Sequence, residues 1–85
     1  MDELTLDGNG VAGMLDSAFG TEMTTVVRRC GSCGTAAAIG AHRAYRAAGV
    51  VLRCPACHDL AITVVALPDR HVVQVRGEMR LELPR

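Results

Sequence analysis

Four cysteines in two pairs are the residues of this chain best suited to chemistry. Cys30 and Cys33 form one C-x-x-C pair, Cys54 and Cys57 form the other, and the chain has no further cysteine. The twenty residues between the pairs give the spacing C-x2-C-x20-C-x2-C. Two residues between cysteines let one tight turn aim both sulfurs at a single ion, and two such turns complete a tetrahedron. The spacing predicts a closed, structural site for one zinc ion per chain.

The residues beside the cysteines favour a rubredoxin-type knuckle at each pair. Gly34 follows the first pair, where a positive φ turns backbone N–H groups toward the thiolates. Pro55 lies inside the second pair, with its φ already set for the first corner of a turn. His58 takes the place of Gly34 after the second pair. Because four cysteines are available, we expect His58 to lie beside the site or at the surface rather than to bind the metal.

Catalytic and redox uses of the cysteines fit less well. A thioredoxin-like pair needs a helix N-terminus after a strand, whereas both pairs lie in β-rich sequence. A catalytic zinc site usually needs an open position and an acidic general base. No carboxylate occurs between Glu22 and Asp59, so the sequence predicts that the protein is not an enzyme. Iron in the same four thiolates would make a rubredoxin-like electron carrier, and the spacing does not separate zinc from iron.

The composition predicts a small core that needs a staple. The chain has 85 residues and is 49% hydrophobic, but much of that share is alanine, and Phe19 and Tyr45 are its two aromatic residues. Domains of this size balance burial against chain entropy. Structural zinc supplies roughly 10–16 kcal/mol of apparent binding free energy. We therefore expect residues 30–57 to be largely unfolded without the metal.

The sequence carries no signal for secretion or membrane insertion. Asp2 and Glu3 stand where a signal peptide needs positive charge, and the longest apolar run, within residues 60–67, is too short to span a bilayer. Cytoplasmic thiols stay reduced, and paired cysteines there bind metal more often than they form disulfides. A cytoplasmic location is expected.

The charges are unevenly distributed along a chain whose formal net charge is zero. Residues 1–22 carry five acids and no base, and residues 23–58 carry five arginines and no acid. Four thiolates around a divalent ion would have a net charge of −2. Arg28, Arg29 and Arg53 flank the cysteine pairs, and we expect them to compensate that charge.

One basic and aromatic cluster lies away from the cysteines. Arg43 and Arg46 lie on either side of Tyr45, and one interpretation of this pattern is phosphate contact combined with base stacking. The alternative is a solvated strand face with a core tyrosine. These three residues are the candidate contacts for a partner or for phosphate.

The hydrophobic pattern predicts an α+β domain over residues 1–85, with an acidic leader at 1–22 and a β-rich ribbon at 23–85. The leader contains a helix at about residues 9–19, because its apolar residues repeat with helical spacing. Asp7 or Asn9 is expected to cap this helix and Gly20 to end it. The predicted stripe comprises Val11, Met14, Leu15, Ala18 and Phe19.

The remaining segments read as strands. Residues 23–29 and 50–53 lead into the cysteine pairs, and residues 36–46 suit one strand or, through their alanines, a helix. Leu4 and Leu6 are an extended lead-in, and Ala48 with Gly49 marks a turn. Residues 60–67 and 72–76 form a hairpin around a Pro-Asp turn. Residues 79–83 alternate as a half-exposed edge strand that suits a homodimer.

The chain also resembles a known family. The segments that carry the resemblance are MDELTLDGN (1–9), FGTEMTT (19–25), CGSCG (30–34), YRAAGVVLRCP (45–55) and LEL (81–83). They are similar to a family of small, uncharacterised zinc-ribbon proteins from actinobacteria, a domain of unknown function. The resemblance implies the same four cysteines as metal ligands and a redox enzyme as partner, and it brings no established activity.

Together these observations favour a non-catalytic zinc ribbon that serves as a binding or accessory module for a partner protein. Two alternatives remain open: an iron electron carrier for an oxidoreductase, and a ribbon that binds nucleic acid.

Overall fold

The computed structural model of the chain describes residues 5–46 and 49–82. In these ranges two antiparallel sheets accompany one α-helix, α1 (Ala12–Phe19), and two 3-10 helices, Gly8–Val11 and Ile39–Ala41. The strands are β1 (Thr5–Asp7), β2 (Val27–Arg29), β3 (Ala36–Ala38), β4 (Arg43–Arg46), β5 (Gly49–Arg53), β6 (Leu60–Ala66), β7 (His71–Val75) and β8 (Glu78–Met79). The larger sheet has the order β1-β4-β5-β6-β7, and the smaller has the order β3-β2-β8.

The helix forms where its apolar spacing predicts. The first 3-10 helix runs directly into α1, and Oδ1 of Asp7 accepts a hydrogen bond of 2.9 Å from the Gly10 amide. Gly20 ends α1 with a φ of 73°, as expected of a helix-ending glycine. The predicted stripe is buried or packs against the buried core, which confirms that α1 covers the sheets rather than facing solvent.

One face of the five-stranded sheet builds most of the core. Its strands alternate, so that every second side chain points toward α1. The buried apolar residues are Val11, Leu15, Met23, Ile39, Ala44, Val50, Leu52, Ala61, Ile62 and Val64. The hairpin predicted for residues 60–67 and 72–76 is confirmed as β6 and β7, which pair from Ile62–Val75 to Ala66–His71.

Residues 36–46 form neither one strand nor a helix, and both expectations for this segment are wrong. The segment contains β3, the second 3-10 helix and β4, which belongs to the other sheet. The chain turns here because the amides of Ile39 and Gly40 donate to the carbonyls of Val26 and Thr24, each at 2.8 Å. The segment therefore connects the two sheets.

Two predicted strands are shorter than expected. Only Val27–Arg29 of residues 23–29 is a strand, because the Val26 amide donates to the Met23 carbonyl at 3.0 Å and closes a turn. Of residues 79–82, Met79 alone lies in a strand, the two-residue β8 that pairs with β2. Leu4, Ala48 and Leu83 lie outside the described residues, and Gly49, expected in a turn, is the first residue of β5.

A buried arginine–histidine pair joins the two sheets. Arg28 of β2 and His42, which precedes β4, are each 1% exposed. Nη1 of Arg28 lies 3.3 Å from Nε2 of His42, and its Nε donates to the Arg76 carbonyl at 2.7 Å. Nδ1 of His42 lies 2.9 Å from the Ala38 carbonyl oxygen. A neutral ring with its proton on Nδ1 satisfies both contacts, donating to Ala38 and accepting from Arg28.

This neutral ring makes stability depend on pH. Burial lowers the pKa of His42 from its ordinary value of 6.5; the Ala38 carbonyl opposes that shift, and the charge of Arg28 adds to it. Near pH 6 the unfolded chain therefore binds more protons than the folded one. The contribution of neutral His42 to the free energy of unfolding should be complete above pH 6.5 and should decrease as the pH falls below 6.5.

His42→Gln keeps one donor and one acceptor but does not titrate, so it should remove this part of the pH dependence. Urea unfolding of both proteins from about pH 7.5 to about pH 5.5 measures it. A parallel loss of stability in the two proteins would show that His42 does not couple folding to pH.

Candidate metal centre

Two hairpins of the same construction hold the cysteines. The first cysteine turn, residues 30–35, connects β2 to β3, and the second, residues 54–59, connects β5 to β6. Arg29 pairs with Ala36 at the base of the first turn, and Arg53 pairs with Leu60 at the base of the second. Each turn is thus anchored at both ends by a strand ladder.

The backbones of the two cysteine turns match bond for bond. In each, the amide of the leading cysteine donates to the carbonyl five residues later, and the amide four residues later donates back to that cysteine. The four bonds are Cys30–Thr35 (2.8 Å), Gly34–Cys30 (3.0 Å), Cys54–Asp59 (2.9 Å) and His58–Cys54 (2.9 Å). One local conformation therefore serves both pairs.

The left-handed position that closes each turn is where the sequence predicts it. Gly34 has a φ of 79° in the first turn and His58 a φ of 66° in the second. Within residues 5–46 and 49–82, His58 is the one non-glycine residue with a positive φ. Its side chain is exposed, so the residue contributes its backbone geometry to the turn.

Amide groups in both turns also face the sulfurs. The Ser32 amide lies 3.4 Å from Sγ of Cys30, and the Ala56 amide lies 3.4 Å from Sγ of Cys54. Hydrogen bonds to the charged form of a group favour that form. These amides therefore stabilise thiolates at the two leading positions.

The four cysteine sulfurs lie around a common centre. Sγ of Cys30 lies 3.6 Å from Sγ of Cys57, Sγ of Cys33 lies 3.7 Å from Sγ of Cys54, and all four lie within 4.8 Å of one another. A zinc–sulfur bond of about 2.3 Å in a regular tetrahedron places sulfurs about 3.8 Å apart. The donor set thus fits one tetrahedral ion, and none of the cysteines forms a disulfide.

The pKa values of these thiols diverge because the sulfurs are crowded. Amides of the first turn, at Cys33 and Ser32, lower the pKa of Cys30 to about 6. A hydrogen bond from the Asp59 amide lowers the pKa of Cys57, but burial and the three other sulfurs outweigh it and raise this pKa to about 12. Each further negative charge is opposed by those already present. A cation at the centre would remove this opposition and would favour the thiolate form of the four cysteines.

Polar contacts around the centre brace the turns. Nη1 of Arg29 donates to the Gly34 carbonyl, and Nη1 of Arg53 donates to the His58 carbonyl, each at 3.1 Å. These contacts repeat the symmetry of the two hairpins. Arg29 and Arg53 therefore stabilise the backbones of the two turns, in addition to the charge compensation expected of them.

A further contact links the two turns directly. The Ser32 hydroxyl of the first turn donates to Oδ2 of Asp59 in the second. That hydrogen bond, followed by the Leu60 amide, lowers the pKa of Asp59. Sequence reasoning missed this pair, since 27 residues separate its members and no local pattern relates them.

The candidate contacts outside the centre do not share one surface. Arg43 and Tyr45 point to the open face of β4, and Arg46 points to the opposite side, because strand residues alternate. The residue opposite Arg43 on the open face is Arg53 of β5. Strand alternation would have separated Arg46 from the other two in the sequence alone.

Two glycines of the first cysteine turn should respond differently to an added methyl group. Gly34→Ala puts a side chain into a left-handed conformation and should cost about 1 kcal/mol of stability. Gly31→Ala is the matched control. Its methyl would lie 3.6 Å from Cα of Gly77, an ordinary contact, so the expected change is within about 0.5 kcal/mol. Urea unfolding compares the two, and equal losses would contradict the conformational argument.

Comparisons with known proteins address the whole chain rather than this centre alone. Among the helices of the described residues, none combines the length and the apolarity needed to cross a membrane. Searches of curated proteins and of solved structures give no significant match. A family of unknown function, DUF6510, matches residues 2–85. The chain therefore belongs to this family of unknown function.

Proposed function

We propose that this protein is a non-catalytic zinc ribbon that serves as a binding or accessory module for a partner protein. The observation that carries the proposal is the near-tetrahedral spacing of the four sulfurs at the tips of two matched hairpins. Two further features support rubredoxin-type knuckles at both cysteine pairs: the matching backbone hydrogen bonds of the turns and the left-handed conformations of Gly34 and His58.

Two features support a structural rather than a catalytic ion. Four protein sulfurs fill a tetrahedral ion, which leaves no position for water or substrate. The carboxylate closest along the chain to a ligand belongs to Asp59, which accepts the Ser32 hydroxyl and so links the turns. The centre would then contribute folding free energy, as closed zinc sites do.

The open face of the five-stranded sheet offers the surface for a partner. Strand register places eight residues on this face: Arg43, Tyr45, Val51, Arg53, Thr63, Val65, Val72 and Gln74. None of the eight is acidic. The acid in their outer row, Asp7, pairs with Arg43 on the side away from Arg53, and its Oδ1 accepts a hydrogen bond from the Gly10 amide. Aromatic, arginine and β-branched residues without acids suit a protein interface.

The charges of this face indicate what the partner carries. Arg43 and Arg53 stand directly opposite each other on neighbouring strands, an arrangement that is unfavourable unless an anion lies between them. Val65 and Val72 pair at the other end of the face. We infer a partner segment with a carboxylate at one end and an apolar side chain at the other, and a redox enzyme is our candidate for the protein that bears it.

A second copy of the chain is another partner to test. The edge strand expected at residues 79–83 contributes only Met79 to β8, whereas β7 is a five-residue strand at the edge of the larger sheet. Nucleic acid is a further candidate, because Tyr45 lies on the same face as the two arginines. Two arginines beside a dianionic metal centre would attract phosphate only weakly. We therefore consider nucleic acid a weaker candidate than a protein partner.

Metal analysis together with a visible spectrum tests the centre, on protein purified without added metal. We expect one zinc per chain and a colourless solution. Iron with a red colour that bleaches on reduction would replace this proposal with an electron carrier.

Cys54→Ser should lose the bound metal and the cooperative thermal transition. The apparent binding free energy of structural zinc, roughly 10–16 kcal/mol, is as large as the whole stability of a small domain. Ala56→Ser places the same hydroxyl in the same turn without removing a ligand and should keep both properties. A Cys54→Ser protein that still binds one zinc tightly and melts normally would contradict the four-ligand centre.

Two valines of β7 provide a matched test of the open face. Val72 and Val75 are each 41% exposed, but Val72 lies on the open face and Val75 on the opposite side of the strand. Val72→Glu should abolish capture of proteins that the unaltered chain retains from a nuclease-treated lysate. Val75→Glu should preserve it. Equal loss or equal retention in the two variants would rule out this face as the binding surface.

A further inference from the structure

We propose that Arg28 is the internal counter-cation of the metal centre and that its buried charge strengthens binding of a divalent ion by the four cysteines. This inference rests on the proposed function, since it requires a metal at the cysteines. It goes further by assigning the residue that balances the charge of that centre.

Arg28 is buried and forms no ion pair within the described residues, although its charge helps to lower the pKa of Asp59 from beyond ion-pair distance. The ion pair found within residues 5–46 and 49–82 joins Asp69 to Arg70 at the surface. The hydrogen bonds of Arg28 go instead to two neutral groups, the Arg76 carbonyl and the ring of His42. A buried cation is costly when no negative charge compensates it. Asp59 supplies one negative charge at a distance, but Arg76 acts more strongly than Arg28 on the same carboxylate, so a further negative group would stabilise the buried cation.

Gly77 lies between this guanidinium group and the first cysteine turn. The position that a Cβ of Gly77 would occupy is 3.2 Å from Nη2 of Arg28 and 3.1 Å from the amide nitrogen of Gly31. Gly31 follows Cys30 directly, so one glycine separates the cation from the turn. Four thiolates around a divalent ion carry a net charge of −2. That dianion would add to the negative charge that Asp59 provides.

Arg28 differs from the two other arginines beside the cysteines. Arg29 is exposed and Arg53 half-buried, and both donate to turn carbonyls. In the second hairpin the place of Arg28 is taken by Leu52, which is fully buried. The two cysteine turns match in their backbone hydrogen bonds, but only the first hairpin has a cation at the buried position two residues before its leading cysteine.

Zinc affinity, measured by competition with a chromophoric chelator, tests this assignment. Arg28→Leu should weaken binding on the order of 10- to 100-fold, because a charge acts strongly across the protein interior. Arg29→Leu removes the same formal charge from the adjacent exposed position and should change affinity less than about threefold. Arg28→Lys keeps the charge and should stay close to the wild-type affinity. Equal losses in the two leucine variants would overturn the assignment.

The reduction potential of the iron-loaded protein gives a readout that a merely structural role would not move. A buried positive charge favours the dianionic ferrous centre over the monoanionic ferric one. Arg28→Leu should therefore lower the potential, and Arg29→Leu should leave it nearly unchanged. An unchanged potential in Arg28→Leu would overturn the inference.

The outcomes separate this inference from the function on which it rests. Where Arg28→Leu does not fold, Arg28→Lys decides: an affinity near that of wild type supports the counter-cation, and loss of binding contradicts it. A wild-type protein that takes up no metal overturns the proposed function and this inference together. Metal uptake with equal affinity losses in Arg28→Leu and Arg29→Leu overturns this inference alone.

Discussion

The meeting of four sulfurs at the tips of two hairpins is the constraint on which the rest of the structure depends. One hairpin belongs to the smaller sheet and the other to the larger, so an ion bound at their tips ties the two sheets together. Crowded thiols resist ionisation, as the raised pKa of Cys57 shows. A bound cation would relieve this opposition, and metal binding would then be coupled to folding.

A second tie between the sheets lies in the interior. Arg28 reaches from the smaller sheet to His42, at the start of a strand of the larger one, and to the carbonyl of Arg76. An apolar core this small leaves much of the cohesion of the chain to such specific contacts. The proposed ion and the buried arginine would then act as one unit, since the charge of each makes burial of the other less costly.

The sequence predicts those features whose cause is local. Neighbouring residues are enough to predict four features: the two cysteine turns, the left-handed positions at Gly34 and His58, the apolar stripe of α1, and the hairpin of β6 and β7. Residues 36–46 did not, because their path is set by hydrogen bonds to the backbone of Thr24 and Val26, more than ten residues earlier. The Arg28–His42 pair likewise depends on sheet topology and has no local signature.

Titration of the metal-free protein with cobalt(II) tests the central claim most directly. A single ion held by four thiolates should saturate at one equivalent, with the intense visible bands of tetrahedral cobalt and strong sulfur-to-cobalt charge transfer. The signal of the folded ribbon in circular dichroism should grow in step with those bands. Weak bands typical of six-coordinate cobalt, or folding complete before any cobalt is added, would contradict the claim that the four cysteines and their ion hold this structure together.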